Sequence, residues 1–485
     1  MEQNETLKEK TARGLFWGGM NNGVQQLIGL AVGIVLGRLL SPHDYGMIAM
    51  ITIFSVVATE LQSSGFKTAL TNLPHPRHED YNSVFWFNIV VGAAIYAVLF
   101  FSAPLIASYY HTPELVPLCR YAFLGFVFSS FGLAQSAYLF KNLLTKQQAK
   151  SGITAIIVSN TVGIIMAWQG YAYWSIATQT NVYILTCTLM YWHYSPWRPS
   201  LRWSAGPVMR MFPFSCKIMA TAILTQVNNN ILNILLGHYF SPRDAGNYNQ
   251  AYQWNYKASN LLQGMVQTVA QPVFVDLKGD SGRQLRALRK LVRFTSFIAF
   301  PLLLGFALVA REFIVITITE KWLFSASLLQ VLCVSGAVMP LCGLLANNII
   351  SRGRSDVYLG GTLLLGVLEL VSMMLLYSHG IRTMVVVYAL LNVLWLFVWH
   401  AFVWRQLGYS LWQLLADVLP FALTAAATMV LTHYATLPLS DSLWLLLLAR
   451  VVMAAAVYYL VMRLAGAHIL KETTQFVRSR LKHTE

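Results

Sequence analysis

The sequence predicts an all-α integral membrane protein of about fourteen transmembrane helices, with two six-helix lobes in a parallel pseudo-two-fold repeat and two further C-terminal helices. Three observations lead there. The 485 residues are 56% hydrophobic and only 11% charged, which does not describe a soluble surface. Apolar stretches of about 20 residues or more recur from end to end, long enough to cross a hydrocarbon core about 30 Å thick. A decapeptide frame, "GRLLSPHDYG" at 37–46, returns as "GHYFSPRDAG" at 237–246.

In chain order, helices are expected at roughly 12–38, 45–72, 82–107, 115–140, 148–168 and 172–193, making a first lobe of residues 1–205. A second lobe, 206–406, holds helices at roughly 208–238, 243–272, 288–311, 323–348, 356–378 and 382–404. The remainder, 407–485, has helices at roughly 412–434 and 442–464 and a basic tail. Strand-period alternation is absent, which argues against a porin-type barrel. The first apolar stretch is too long for a signal-peptide core and lacks a convincing cleavage site, so it reads as a retained helix. In each decapeptide a serine (Ser41, Ser241) can cap a helix, a proline (Pro42, Pro242) suits its first position, and an aspartate (Asp44, Asp244) sits at the third, which is a capping-box pattern. The repeat extends further, because "LFKNLLTKQQAKSG" from Leu139 resembles "LANNIISRGRSDVYLG" from Leu345, each after the fourth helix of its half. Both halves begin on the same membrane side, so the repeat is parallel.

A formal charge of +15 raises the question of nucleic acid. With the N-terminus inside and each helix crossing once, 26 of the 34 Lys and Arg fall on cytoplasmic segments or the helix ends beside them. The exceptions are Arg38, Arg120, Arg243, Lys257, Arg311, Lys321, Arg382 and Arg450. That bias is the positive-inside rule, so the basicity is topological and no nucleic-acid partner is expected. The five cysteines show no metal-ligand spacing and read as small packing residues. Neither a metal nor a cofactor is expected.

Six plus six plus two helices, "GRLLSPHDYG" followed by "LQSSGFKTAL", and "TVAQPVFVDLKGD" running into a basic segment resemble polysaccharide exporters and lipid-linked oligosaccharide flippases. These belong to the multidrug/oligosaccharidyl-lipid/polysaccharide exporter superfamily, and the resemblance is to the colanic-acid-exporter type. It implies a bacterial inner-membrane transporter with both termini cytoplasmic. Such a protein moves an undecaprenyl-diphosphate-linked glycan between leaflets by alternating access, for surface polysaccharide or lipopolysaccharide biosynthesis. Membrane lipids, a glycan polymerase and glycosyltransferases are the implied partners, and a monomer is expected. Two family features are missing. Gly14 to Gly37 contains no basic residue, unlike the first helix of peptidoglycan-precursor flippases, and no acidic one, unlike that of drug and cation antiporters.

A carrier of a diphosphate-linked glycan needs cations, sugar-binding amides and flat aromatic faces. Ionisable residues inside membrane helices are informative because each costs about 2.5 kcal/mol or more at the bilayer centre. Lys257 is the leading substrate-binding candidate, deep in "GNYNQAYQWNYKASNLLQ", where Asn249, Tyr252, Gln253 and Tyr256 supply amides and rings. The competing reading makes the same amides and tyrosines glue between helices. Lys217 either shares a diphosphate with Lys257 or snorkels to the surface. Asn229 stands at membrane depth in "TQVNNNILNI". Lys67 and Arg120 are further substrate candidates, with interfacial anchoring as the alternative for each. Glu60 and Glu369 are candidates for ion coupling. Asp417 and Arg450 lie in the added helix pair and read as packing residues.

Two other functions compete. Cation-coupled drug export predicts a predominantly acidic cavity, against an inventory richer in cations. A glycan polymerase needs catalytic groups held together, usually on a sizeable loop, and no predicted loop much exceeds about 20 residues. The chain is therefore expected not to be an enzyme.

Overall fold

The computed structural model describes residues 7–63, 66–202, 204–277, 280–439 and 442–465. Those residues are almost entirely helical, and no strand occurs among them. The chain divides into two compact units, Met1–Gly246 and Asn247–Glu485.

In the first unit α1 (Leu7–Leu39), α2 (Pro42–Ser63), α3 (Phe66–Asn72) and α4 (His78–Tyr109) are followed by three short helices, α5 (Leu115–Ala122), α6 (Leu124–Ser130) and α7 (Leu133–Lys141). Then come α8 (Thr145–Trp168), α9 (Tyr173–Tyr194), α10 (Gly206–Tyr239) and the start of α11 (Pro242–Asp276). The rest of α11 opens the second unit. It continues with α12 (Ser281–Ile318), α13 (Leu323–Ser351), α14 (Ser355–Leu376), α15 (Ile381–Leu407), α16 (Leu411–Ala435) and α17 (Leu443–Leu464). The repeat-based lobe boundary at 205/206 and the packing boundary at 246/247 differ because α10 packs against α2, α3 and α4.

Among the described residues, nine helices are long and apolar enough to cross a membrane, or ten if the bent pair Leu115–Ser130 and Leu133–Lys141 is one span. Fourteen crossings are thus more than length and apolarity identify. The long helices that fall short include α9, α10 and α11, whose asparagines, glutamines, threonines and tyrosines lower their hydropathy.

The continuous helix expected at 115–140 is broken, with a 46° bend. Side chains from neighbouring helices take its freed carbonyls, which is a recognised cause of kinks. Gln62 of α2 donates to the Phe126 carbonyl (2.6 Å), and Asn181 of α9 to that of Tyr121 (2.8 Å). Thr188 and Trp192, also of α9, donate to the carbonyls of Phe128 (3.1 Å) and Phe131 (2.7 Å).

Both repeated phrases form the expected caps. Ser41 Oγ donates to the Asp44 carboxylate (2.6 Å) while the Asp44 amide donates back to Ser41 Oγ (3.3 Å). Ser241 and Asp244 repeat this at 2.7 and 3.2 Å. Capping does not explain the glycine that closes each phrase. A Cβ on Gly46 would overlap the Pro242 carbonyl, and one on Gly246 would overlap the Pro42 carbonyl. The two helix starts therefore meet backbone to backbone in a reciprocal contact, and only glycine permits the approach. Beside it Gly237 meets the Tyr110 ring, and His238 stacks on Tyr109 with ring centroids 4.2 Å apart.

Candidate functional site: the polar edge of α11

An α-helix turns about 100° per residue, which sorts the polar segment of α11 into distinct faces. Asn247, Asn255, Ser259 and Gln263 pack against α13. Ser325 Oγ donates to Asn247 Oδ1 (2.9 Å), Asn255 and Ser259 crowd Gly336, and Gln263 crowds Gly343. Close approach at glycines, with a hydrogen bond across the seam at Asn247, packs these residues between helices, as in the competing reading.

Asn249, Gln253, Lys257, Asn260, Gly264 and Gln267 share a different edge, about 27 Å long at 1.5 Å per residue. Gln253, Asn260 and Gln267 are exposed, while Asn249 and Lys257 are half-buried. The Lys257 ammonium lies 4.9 Å from the centroid of the buried Trp254 ring, a cation–π contact that leaves its polar donors unspent on that partner. Bordering the edge, Tyr248, Tyr252 and Tyr256 stand one per turn, with successive ring centroids 5.9 and 6.0 Å apart. This ladder runs from fully buried Tyr248 to Tyr256, which is 44% exposed.

The buried end of the ladder leads to an acid. Glu369 of α14 is 2% exposed, accepts a bond from Asn392 Nδ2 of α15 (2.8 Å), and lies within electrostatic reach of Tyr248, Tyr252 and Tyr388. Of the expected site residues, Asn249, Tyr252, Gln253, Tyr256 and Lys257 thus share one helix, and Glu369 stands behind them.

The remaining candidates belong to the first unit. Glu60 is half-buried and accepts a bond from Gln226 Nε2 of α10 (3.3 Å). Arg120 is half-buried, with its guanidinium 4.3 Å over the Phe100 ring. The side chains of Lys67, Lys217 and Asn229 lie outside those described.

Sequence reasoning passed over Asn260 and Gln267, although continuing the period from Gln253 would have found both. It also missed Glu312, whose role depends on a distant partner. Glu312 of α12 pairs with Arg450 of α17 (3.0 Å), both buried, and Arg450 also donates to the Leu308 carbonyl (3.2 Å). Near the start of α12, Arg289 pairs with fully buried Asp417 of α16 (2.7 Å), which also accepts from Arg293 and from the Tyr409 hydroxyl. The added helix pair is therefore clamped to α12 twice, and Asp417 and Arg450 are packing residues as expected.

At least nine helices among the described residues that are long and apolar enough to cross a membrane define a multi-pass α-helical membrane protein. Residues 35–327 match the family described as polysaccharide biosynthesis protein, and the chain belongs to that family. The lipopolysaccharide biosynthesis protein WzxC of Escherichia coli K12 is 24% identical over 358 residues, covering 73% of this chain and 72% of its own. The teichuronic acid biosynthesis protein TuaB of Bacillus subtilis 168 is 24% identical over 398 residues, covering 80% and 81%. Among solved structures, the lipid II flippase MurJ in an inward closed conformation has the same fold, with a TM-score of 0.69 at 12% identity over 92% of this chain and 98% of that one.

Proposed function

We propose that this chain flips an undecaprenyl-diphosphate-linked oligosaccharide across the bacterial inner membrane, for surface polysaccharide or lipopolysaccharide biosynthesis. The exposed edge of α11 carries the reading. Amides, a lysine and a tyrosine along a helix are costly against lipid, so they belong on a water-filled passage, where they suit sugar hydroxyls and ring faces. Family membership and the polysaccharide-biosynthesis names of the relatives support the same reading.

In this reading fourteen helices cross the membrane, as lobes 1–205 and 206–406 plus the pair in 407–485, with both termini cytoplasmic. Lys257 holds the diphosphate, with Lys217, Lys67 and Arg120 as further cations on its route. Asn249, Asn229, Gln253, Tyr252 and Tyr256 hold sugar, and Glu60 and Glu369 couple transport to an ion. The protein acts as a monomeric transporter and performs no catalysis, receiving its substrate from glycosyltransferases and delivering it to a polymerase.

The test uses a strain lacking the gene and complemented with the full chain. Lys257→Ala should lower surface glycan at least about tenfold, about 1.4 kcal/mol, and accumulate lipid-linked units at unchanged protein abundance. Normal surface glycan in that strain removes the site. Reporters fused at Gln148 and at the C-terminus should read cytoplasm and one at Thr112 periplasm; any reversal removes the topology.

A further inference from the structure

In the second unit α12, α16 and α17 pack side by side, and their contacts fix which residues share a level. α12 and α16 run the same way, since Arg293 pairs with Asp417, the Phe297 and Phe421 ring centroids are 6.1 Å apart, and a Cβ on Gly305 would touch Met429. α17 runs the other way, because Arg450 pairs with Glu312 (3.0 Å) while further along it the Tyr458 hydroxyl donates to the Phe297 carbonyl (3.0 Å). Arg463 follows Tyr458 by about 7.5 Å of helix, which brings it to about the level of Arg293, and Trp412 precedes Asp417 by the same rise. One layer therefore holds Arg289, Lys290 and Arg293 of α12, Arg463 of α17 and Trp412 of α16, with Arg286 one turn further out.

The spacing of charges sets the depth of this layer. Residues 294–310 of α12 include no charged side chain, about 26 Å of helix against a hydrocarbon core about 30 Å thick. α16 carries none from 418 to 432, and α17 none from 451 to 462. Arg293, Asp417 and Arg463 thus end the apolar stretch of all three helices at the same level, where lipid headgroups begin. Arg286, Lys290 and Arg463 are exposed, and Trp412 is 82% exposed. Arg289 and Arg293 keep 28% and 45% of their side chains exposed although both are held by the fully buried Asp417 carboxylate. Among the described residues of these helices at that level, five cations face a single acid. At the outer start of α12, Asp280 pairs with Arg283 (3.7 Å).

Exposed cations at the end of an apolar helix stretch, with a tryptophan among them, are complementary to the phosphates of a bilayer surface. Phe294, the first residue inside the layer, is 38% exposed and sets an apolar face directly below the charges. A soluble polyanion has no use for Phe294 or Trp412, whereas a lipid meets both with its acyl chains and glycerol region. We propose that this layer binds the phosphates of anionic phospholipids, with Lys290, Arg293 and Arg463 as the phosphate donors and Trp412 in the interface beside them. Asp417 contributes by ordering Arg289 and Arg293 before a lipid arrives, which lowers the entropy lost on binding. The added helix pair is then both a packing partner of α12 and part of a lipid site. The assignment rests on the membrane class of the chain and not on the flippase reading.

The test takes the purified full chain in micelles holding equimolar phosphatidylglycerol and phosphatidylcholine and reads the lipids it retains by native mass spectrometry. Phosphatidylglycerol is expected to be retained at least about tenfold over phosphatidylcholine. Arg286→Gln, Lys290→Gln and Arg463→Gln together should remove most of that preference. Their thermal stability should stay near that of the wild type, because the clamp of Asp417 on Arg289 and Arg293 is untouched. Lys290→Glu alone, at an exposed position, should lower the preference about threefold and serves if the triple variant does not fold. Equal retention of the two lipids overturns the proposal, as does an undiminished preference in a folded variant. Displacement of phosphatidylglycerol by equimolar undecaprenyl diphosphate also overturns it, assigning the layer to the transported lipid. None of these outcomes removes the flippase reading, which the surface-glycan measurement decides separately.

Discussion

Counted from their shared Ser-Pro-x-Asp start, α2 and α11 carry different chemistry at matching positions. Where α11 has Asn249, Gln253, Lys257 and Asn260 along one edge, α2 has Ala49, Ile53, Val57 and Glu60. Ala49 and Ile53 are buried, while Gln253 and Asn260 are exposed. The first turns of both helices are constrained alike, because each closing glycine must pass the other copy's proline carbonyl. Beyond that contact nothing forces the helices to match. At these positions α2 is apolar and at least half-buried until Glu60, while α11 is polar and more open, so the two helices share their start and not their side chains.

The comparison can be broken at its shared end first. Gly46→Leu and Gly246→Leu should each destabilise the protein by about 3 kcal/mol or more, the upper end of overpacking costs, because the obstacle is backbone. Thermal unfolding of the purified protein measures this, and a tolerated leucine at either site would show that the contact is not reciprocal. At the divergent end, Gln253→Leu with Asn260→Leu should lower surface glycan at least about tenfold with thermal stability unchanged. Ile53→Leu in α2 should leave glycan output within about twofold, since volume-conserving apolar swaps are tolerated.

The acids give a smaller effect. Glu369→Gln, behind the tyrosine ladder, should reduce the response of transport to an imposed ion gradient about fivefold, the low end of coupling free energies, and Glu60→Gln should reduce it less. Vesicle uptake of a lipid-linked glycan with and without the gradient separates them. The smallest expected effect is at the caps. Ser41→Ala and Ser241→Ala should each cost about 1 kcal/mol, equally in the two copies.

Much of α11 was legible in advance. Its polar aromatic run stands out against the aliphatic helices, and Lys257 within it is half-buried on the polar edge. Which amides face outward was not settled, because "NYNQAYQWNYK" places polar groups on every side of a helix, and Asn247 and Asn255 proved to be buried against α13. The break in the predicted helix at 115–140 was also hidden, since its determinants, Gln62 and Asn181, lie about 60 residues away in the chain. Glu312 drew no attention for the same reason, as its partner Arg450 is on another helix.

The sequence by itself determined the helical membrane class, the caps at Ser41 and Ser241 and the polar character of α11. These follow from composition, spacing and period, and period acts within a few residues. Only the tertiary structure decided that Gly46 and Gly246 exist for each other's helix, that Asp417 and Arg450 clamp α16 and α17 to α12, and that one edge of α11 stays open while another is sealed. Those outcomes depend on which backbones approach closely enough to exclude a side chain and on which buried charges find partners, and neither distance is encoded in any local stretch of the chain.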